Sequence, residues 1–183
     1  MLDPAAHPPH SDVRSVLFVC TGNVCRSPFA ERLLHMRAPH LEVRSAGVGA
    51  LVGSPIESRI ARELERRGAS AEGFAAREVE PADLSADLVL VMSSRQRGLL
   101  IDEHPRAARR TGLIGDLPGL AAAFAAQKTP RAAIDAWTRR APRPALDVPD
   151  PYRRSDELLT QVTDRLDDLV AALARLLSPG GSR

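Results

Sequence analysis

Apolar positions along the chain fall into two rhythms that alternate from residue 14 onward. Short β-branched or apolar runs at 14–19 (RSVLFV), 41–46 (LEVRSA), 87–92 (DLVLVM) and 111–115 (TGLIG) have the length and residue types of strands. Longer stretches with helical spacing lie between them. Ser27-Pro28 opens a helix running through FAERLLHMRAPH, with proline in the first turn, where its missing N–H costs least. A charged helix is expected near 55–67, and Ser93 with Gln96 forms a capping box for a helix ending near Glu103. From Ser155 the spacing of Leu158, Val162, Leu166, Leu169, Leu173 and Leu176 draws one apolar stripe, with Asp156 and Glu157 suited to the positive end of the helix. That stripe predicts packing against a sheet rather than against a partner helix. Four strands alternating with helices predict a single α/β domain built on a four-stranded parallel sheet flanked by helices.

Three segments fall outside the alternation. Residues 1–12 are rich in Pro, His and Asp and read as a flexible lead-in, which makes His7 and His10 tail residues rather than ligands; 179–183 read as a flexible tail. Between the fourth strand and the last helix, 116–146 hold an Ala-rich run, a restart at Thr129-Pro130 and the beginning of the connector APRPALDVPDP, expected together as a helical excursion on the surface. No internal repeat is visible, and the domain is expected to span 13–178.

Composition sharpens this picture. With 44% apolar and 26% charged residues but only 3% aromatics, the 183-residue chain is expected to fold around Leu, Val, Ile and Ala. Lys128 is the only lysine, so the net charge of +2 is carried by arginine; it suits an anionic ligand and falls well short of a nucleic-acid signature. No run approaches a membrane span, and the first residues lack the apolar core of an export signal, so a cytoplasmic protein is expected.

The chemistry gathers in VCTGNVCRS, residues 19–27. Its two cysteines, Cys20 and Cys25, are the only ones, and a bridge inside so short a loop would constrain little, so a structural disulfide is not expected. No metal is expected either, because the loop offers no histidine or carboxylate to complete four ligands. A strand that runs through a loop into a helix aims backbone N–H groups at one point with the helix dipole behind them, which favours an anion. Thr21, Gly22, Asn23, Val24, Cys25 and Arg26 would form that cradle, and the same donors would stabilise a Cys20 thiolate as nucleophile. Arg26 can clasp two phosphoryl oxygens with its planar fork. Gly22 is expected to supply a positive φ or a close backbone approach, Asn23 to tie the loop to its surroundings and to tolerate a left-handed backbone, and Ser27 to donate to the sulfur. An acid is needed to protonate a departing phenolate, and Asp147 and Asp150 are both candidates. His35, His40 and His104 lack partner motifs and read as surface or packing residues.

VCTGNVCRSP, together with SAG at 45–47 and DPY at 150–152, resembles the low-molecular-weight protein tyrosine phosphatases, in the expected order and over nearly the whole stretch from Val13 to Leu177. The resemblance implies a cysteinyl-phosphate mechanism with no cofactor, selects Asp150 over Asp147 as general acid and base, and makes Tyr152 a wall of the ring pocket. Cys25 would lie near Cys20, either as an inert small residue or as a redox partner. Arsenate reductases of this fold use further cysteines, which this chain lacks, and arginine phosphatases typically carry threonine where Val24 stands; a non-catalytic phosphoprotein-binding module would not need nucleophile, arginine, serine and acid together. The aliphatic Ala50-Leu51 in SAGVGALVG makes Leu51 a second pocket wall and is similar to the bacterial subclass serving tyrosine autokinases of capsule and exopolysaccharide export. Phosphotyrosine proteins, such an autokinase among them, are therefore the expected partners. The residues at 118–143 depart from that subclass, and Trp137, Arg139 and Arg140 there could contact a substrate protein or form a solvated basic face around one packing tryptophan.

Overall fold

A computed structural model describes residues 13–178. Four strands, β1 (Ser15–Cys20), β2 (Glu42–Gly47), β3 (Leu88–Val91) and β4 (Thr111–Leu113), form one parallel sheet in the order β2-β1-β3-β4. Six helices accompany them: α1 (Arg26–Arg37), α2 (Ser58–Arg66), α3 (Ser94–Glu103), α4 (Leu117–Ala126), α5 (Pro130–Thr138) and α6 (Asp156–Leu177). The alternation of strand side chains divides the interior. Val16, Phe18 and Cys20 of β1 and Leu88 and Leu90 of β3 enter the larger core with α1, α2, α4, α5 and α6, whereas Leu17, Val19, Val89 and Val91 point to a smaller core with Leu100 of α3. All four predicted strands and the fold class are present.

Two expectations need correction. The buried row of α6 is Leu159, Val162, Leu166, Val170, Leu173 and Leu177, while Leu158, Leu169 and Leu176 flank it half-buried. Steps of three and four can be drawn along either of two adjacent rows of so broad an apolar face, and the row is selected by packing chiefly against α1, with α4 and α2 beside it, rather than against the sheet as expected. The segment 116–146 is also no surface excursion. Leu117, Leu120, Phe124, Ile134 and Trp137 all join the larger core, and the Trp137 ring packs against Gly112 of β4, where a Cβ would come within 2.2 Å of it. The indole Nε1 donates to Asp116 Oδ2 at 2.9 Å, and Arg143 Nη2 donates to Oδ1 of the same carboxylate. The apolar residues of the segment are diluted by alanine, which hides the helical rhythm. Residues 1–12 and 179–183, read as flexible ends, lie outside the described residues.

Candidate active site

The parallel order fixes where the cysteine loop can sit: β1 is central, and its carboxyl end carries Cys20 into the loop 21–25 and then α1. The loop is held from outside by its carbonyls. Cys20 O, Thr21 O, Gly22 O and Val24 O accept from the N–H groups of Val48, Gly49, Leu51 and Glu57 at 2.9–3.2 Å. A trans peptide that turns its carbonyl outward turns the following N–H inward, so the N–H groups of Thr21, Gly22, Asn23 and Cys25 face the concave side. β2 must approach closely for this: a Cβ on Gly47 would meet Thr21 O at 2.3 Å, which accounts for the glycine of SAG.

The left-handed residue of the loop is Asn23 (φ 53), not Gly22, whose φ lies outside the positive range. A Cβ on Gly22 would reach toward Val24 and Leu51 at 3.6–3.8 Å, so its smallness keeps the cleft open and serves neither a positive φ nor a close backbone approach. Asn23 tolerates its conformation through three hydrogen bonds. Its Nδ2 donates to Ser27 Oγ and to Ser45 Oγ, each at 2.9 Å, and its Oδ1 accepts from Arg77 N at 2.9 Å. Since Ser27 Oγ accepts from the amide, its own proton can go to Cys20 Sγ, 3.0 Å away, with Ala46 O a longer alternative at 3.5 Å. Ser45 passes its proton onward to the carboxylate of Glu31, one turn beyond Ser27 on α1.

Arg26 is buried. Its Nη1 donates to Val148 O at 3.0 Å and its Nη2 meets Asp150 Oδ2 at 2.8 Å, while Nε has no hydrogen-bond partner among the described residues. Asp150 itself is 51% exposed, and its Oδ1 accepts from Tyr152 N. The other candidate acid, Asp147, is engaged elsewhere, accepting from Ser94 N at 2.8 Å and Ser94 Oγ at 3.0 Å. Cys20, Thr21, Gly22, Val24, Cys25, Arg26, Gly49, Leu51, Asp150 and Tyr152 line one cleft of about 210 Å³. Cys25 is buried, and burial first, then the charges of Cys20, Asp150 and Glu57, push its thiol up to about 12, against a smaller opposing effect of Arg26. A larger hollow of about 540 Å³ opens beside Val13, Asp87 and Arg110, at the amino ends of the strands; it holds no nucleophile, so the chemistry belongs to the smaller cleft.

Comparison with known proteins decides the family. Residues 15–123 match the profile of the low molecular weight phosphotyrosine protein phosphatases, and Etp of Escherichia coli (strain K12), a low molecular weight protein-tyrosine-phosphatase, is 32% identical over 166 residues, 90% of this chain and 95% of Etp. The chain belongs to this family of phosphatases. Solved phosphatases share its fold: Erwinia amylovora tyrosine phosphatase amsI superposes with a TM-score of 0.73 at 26% identity, over 91% of this chain and 94% of that one. The YwlE arginine phosphatase from Geobacillus stearothermophilus gives 0.70 at 26% identity, over 90% and 92%. Among the described residues of this phosphatase, no helix is long and apolar enough to cross a membrane.

Of the residues named from sequence, Cys20, Thr21, Gly22, Val24, Cys25, Arg26, Leu51, Asp150 and Tyr152 line the cleft, Ser27 and Asn23 support the loop through Cys20 and each other, and Asp147 does not line it. Sequence reasoning missed Glu31 and Gln96. Gln96 Nε2 donates to Thr21 Oγ1 at 3.0 Å while its Oε1 accepts from Met92 N and Ser93 N, so the capping box of α3 also steadies the loop. A clue to Glu31 was its place one turn after Ser27 on α1.

Proposed function

We propose that this phosphatase hydrolyses phosphotyrosine in cytoplasmic proteins through a cysteinyl-phosphate intermediate, with Cys20 as nucleophile, Arg26 as phosphate clamp and Asp150 as general acid and then base. The Cys20 sulfur attacks phosphorus, the bond to the tyrosine oxygen breaks, and the Asp150 proton goes to that oxygen. Water then attacks phosphocysteine and gives its proton to Asp150, and Ser27 donates to the departing sulfur. Inward N–H groups of the loop and the unpartnered Nε of Arg26 would hold the equatorial oxygens. The observation that carries the reading is the shared cleft: nucleophile, arginine and a paired, solvent-accessible carboxylate meet between the apolar walls Val24, Leu51 and Tyr152. Those walls suit an aromatic ring. A bacterial tyrosine autokinase is the proposed partner, on the strength of the aliphatic Ala50-Leu51 motif that resembles the subclass serving such kinases.

Steady-state kcat/KM on phosphotyrosine, phosphoserine and phosphoarginine peptides tests the substrate. Phosphotyrosine should be strongly preferred, because Val24 offers a guanidinium no hydrogen-bond partner, a deficit of about 1–3 kcal/mol. Equal turnover of phosphoarginine would refute this and favour the second reading that the likeness to YwlE supports. Cys20→Ser should abolish turnover yet still bind vanadate. Asp150→Asn should lose most activity on substrates with poor leaving groups and least on aryl phosphates with electron-poor rings; a uniform loss would remove Asp150 from the acid role.

A further inference from the structure

The acid is carried on a segment with almost no regular structure of its own, yet its main chain is fastened at three successive residues. Leu146 O and Asp147 O accept from Arg165 Nη2 and Nη1 of α6, each at 2.8 Å. Val148 N donates to Met92 O just beyond β3 at 2.8 Å, and Val148 O accepts from Arg26. The Asp147 carboxylate takes both the N–H and the hydroxyl of Ser94, the first residue of α3. Pro149 and Pro151 flank Asp150 and fix φ on either side, so a displacement at 146–148 passes to Asp150 with little slack.

We infer that Asp147 and Arg165 are positioning residues that set where the Asp150 carboxyl sits over the cleft, a conclusion that rests on the reading of Asp150 as the acid. The start of α3 is the common anchor. It holds the acid segment through Ser94 and, two residues later, the nucleophile loop through the bond from Gln96 to Thr21. One helix end therefore sets the separation between sulfur and acid, and Asp147 is the side chain that ties the acid to it. Asp147 does not line the cleft, and its negative charge faces the positive end of the α3 dipole, where it is favourable. Its loss should leave the phosphate cradle intact and let Asp150 drift from the leaving oxygen, and a misplacement of about 1 Å can cost on the order of a hundredfold.

The test measures kcat/KM over a series of aryl phosphates of graded leaving-group acidity, with the inhibition constant of inorganic phosphate and a thermal melt for each variant. Asp147→Ala should lose roughly 10–100-fold on the poorest leaving groups, and little on the most electron-poor ring, with phosphate inhibition unchanged. Asp147→Asn can accept from Ser94 N through Oδ1 and donate to Ser94 Oγ through Nδ2, so it should recover most of the loss. Arg165→Met, which keeps the apolar stem, should repeat the alanine signature. If Asp147→Ala shows no cooperative melt, Ser94→Ala carries the comparison with a smaller deficit of the same leaving-group dependence. A flat deficit across the series, or Asp147→Asn as impaired as Asp147→Ala, overturns the proposal. Asp150→Asn measured alongside separates the two ideas: a flat response there refutes the acid assignment itself, whereas a sloped response there with a flat one for Asp147→Ala refutes only the positioning role.

Discussion

Replacing Asn23 tests how the nucleophile loop is held. The residue is fully buried, sits at φ 53 and makes three side-chain hydrogen bonds, to Ser27, Ser45 and the Arg77 N–H. Asn23→Gly removes the bonds but keeps the backbone comfortable; at about 1 kcal/mol for each bond, it should cost roughly 3 kcal/mol. Asn23→Ala removes the same bonds and leaves a Cβ in the left-handed region, which adds about 1 kcal/mol. Both losses are a large share of a domain stability of about 5–15 kcal/mol, yet leave the chain folded. Urea denaturation followed by far-ultraviolet circular dichroism reads the difference. With a slope of about 2 kcal/mol per molar, the glycine variant should unfold about 1.5 M earlier than wild type, and the alanine variant about 0.5 M earlier still, without a change of slope. Both variants should also turn over more slowly, because Ser27 loses the donor that directs its proton to Cys20. A loss below about 1 kcal/mol for Asn23→Gly, or coincident curves for the two variants, would refute the reasoning.

Two further outcomes follow from titrating groups. Burial, opposed by the Ser45 hydrogen bond and the charges of Arg32, Arg77 and His35, holds the Glu31 carboxyl above its ordinary 4.5. The folded state then binds this proton more tightly than the unfolded, so the stability Glu31 contributes is fully present below about 4.5 and is lost as pH rises through the higher folded value. Urea midpoints of wild type and Glu31→Gln should therefore diverge in favour of the variant across that window, and parallel curves would disprove the burial argument. Cys25, with its thiol pushed up to about 12, should resist alkylation at neutral pH while Cys20 is labelled and inorganic phosphate protects it, as peptide mass analysis will show. Oxidation of Cys20 to a neutral sulfenic acid removes one of the charges opposing a Cys25 thiolate. Thiol reductant should accordingly restore peroxide-treated wild type more completely than Cys25→Ser, and equal recovery would make Cys25 a packing residue only.

The parallel sheet was legible because β1 and β3 are apolar on both faces, as strands covered by helices must be, and the loop was legible because its residue types serve one chemistry. What stayed hidden depends on partners far away in sequence. Two aspartates three residues apart look alike until Ser94, 53 positions upstream of Asp147, takes one of them. Helices α4 and α5 reach the core through a few large side chains among many alanines, so their burial could not be read from periodicity. Residue type allowed a left-handed backbone at both Gly22 and Asn23, and the three partners of Asn23 place it there and not at Gly22.

The chain holds one tryptophan and one tyrosine, and the fold has sent them to different places. Trp137 is 3% exposed and wedged over Gly112, away from the cleft, and Tyr152 lines the cleft with the Arg153 guanidinium 5.1 Å from its ring centre. The molecule therefore carries two natural optical reporters that do not overlap in what they see. Tryptophan emission follows the docking of α5 onto β4 and hence the integrity of the interior, whatever occupies the loop. Tyrosine absorbance follows the mouth of the cleft, so a ligand that perturbs the second signal and spares the first has entered the site without disturbing the fold.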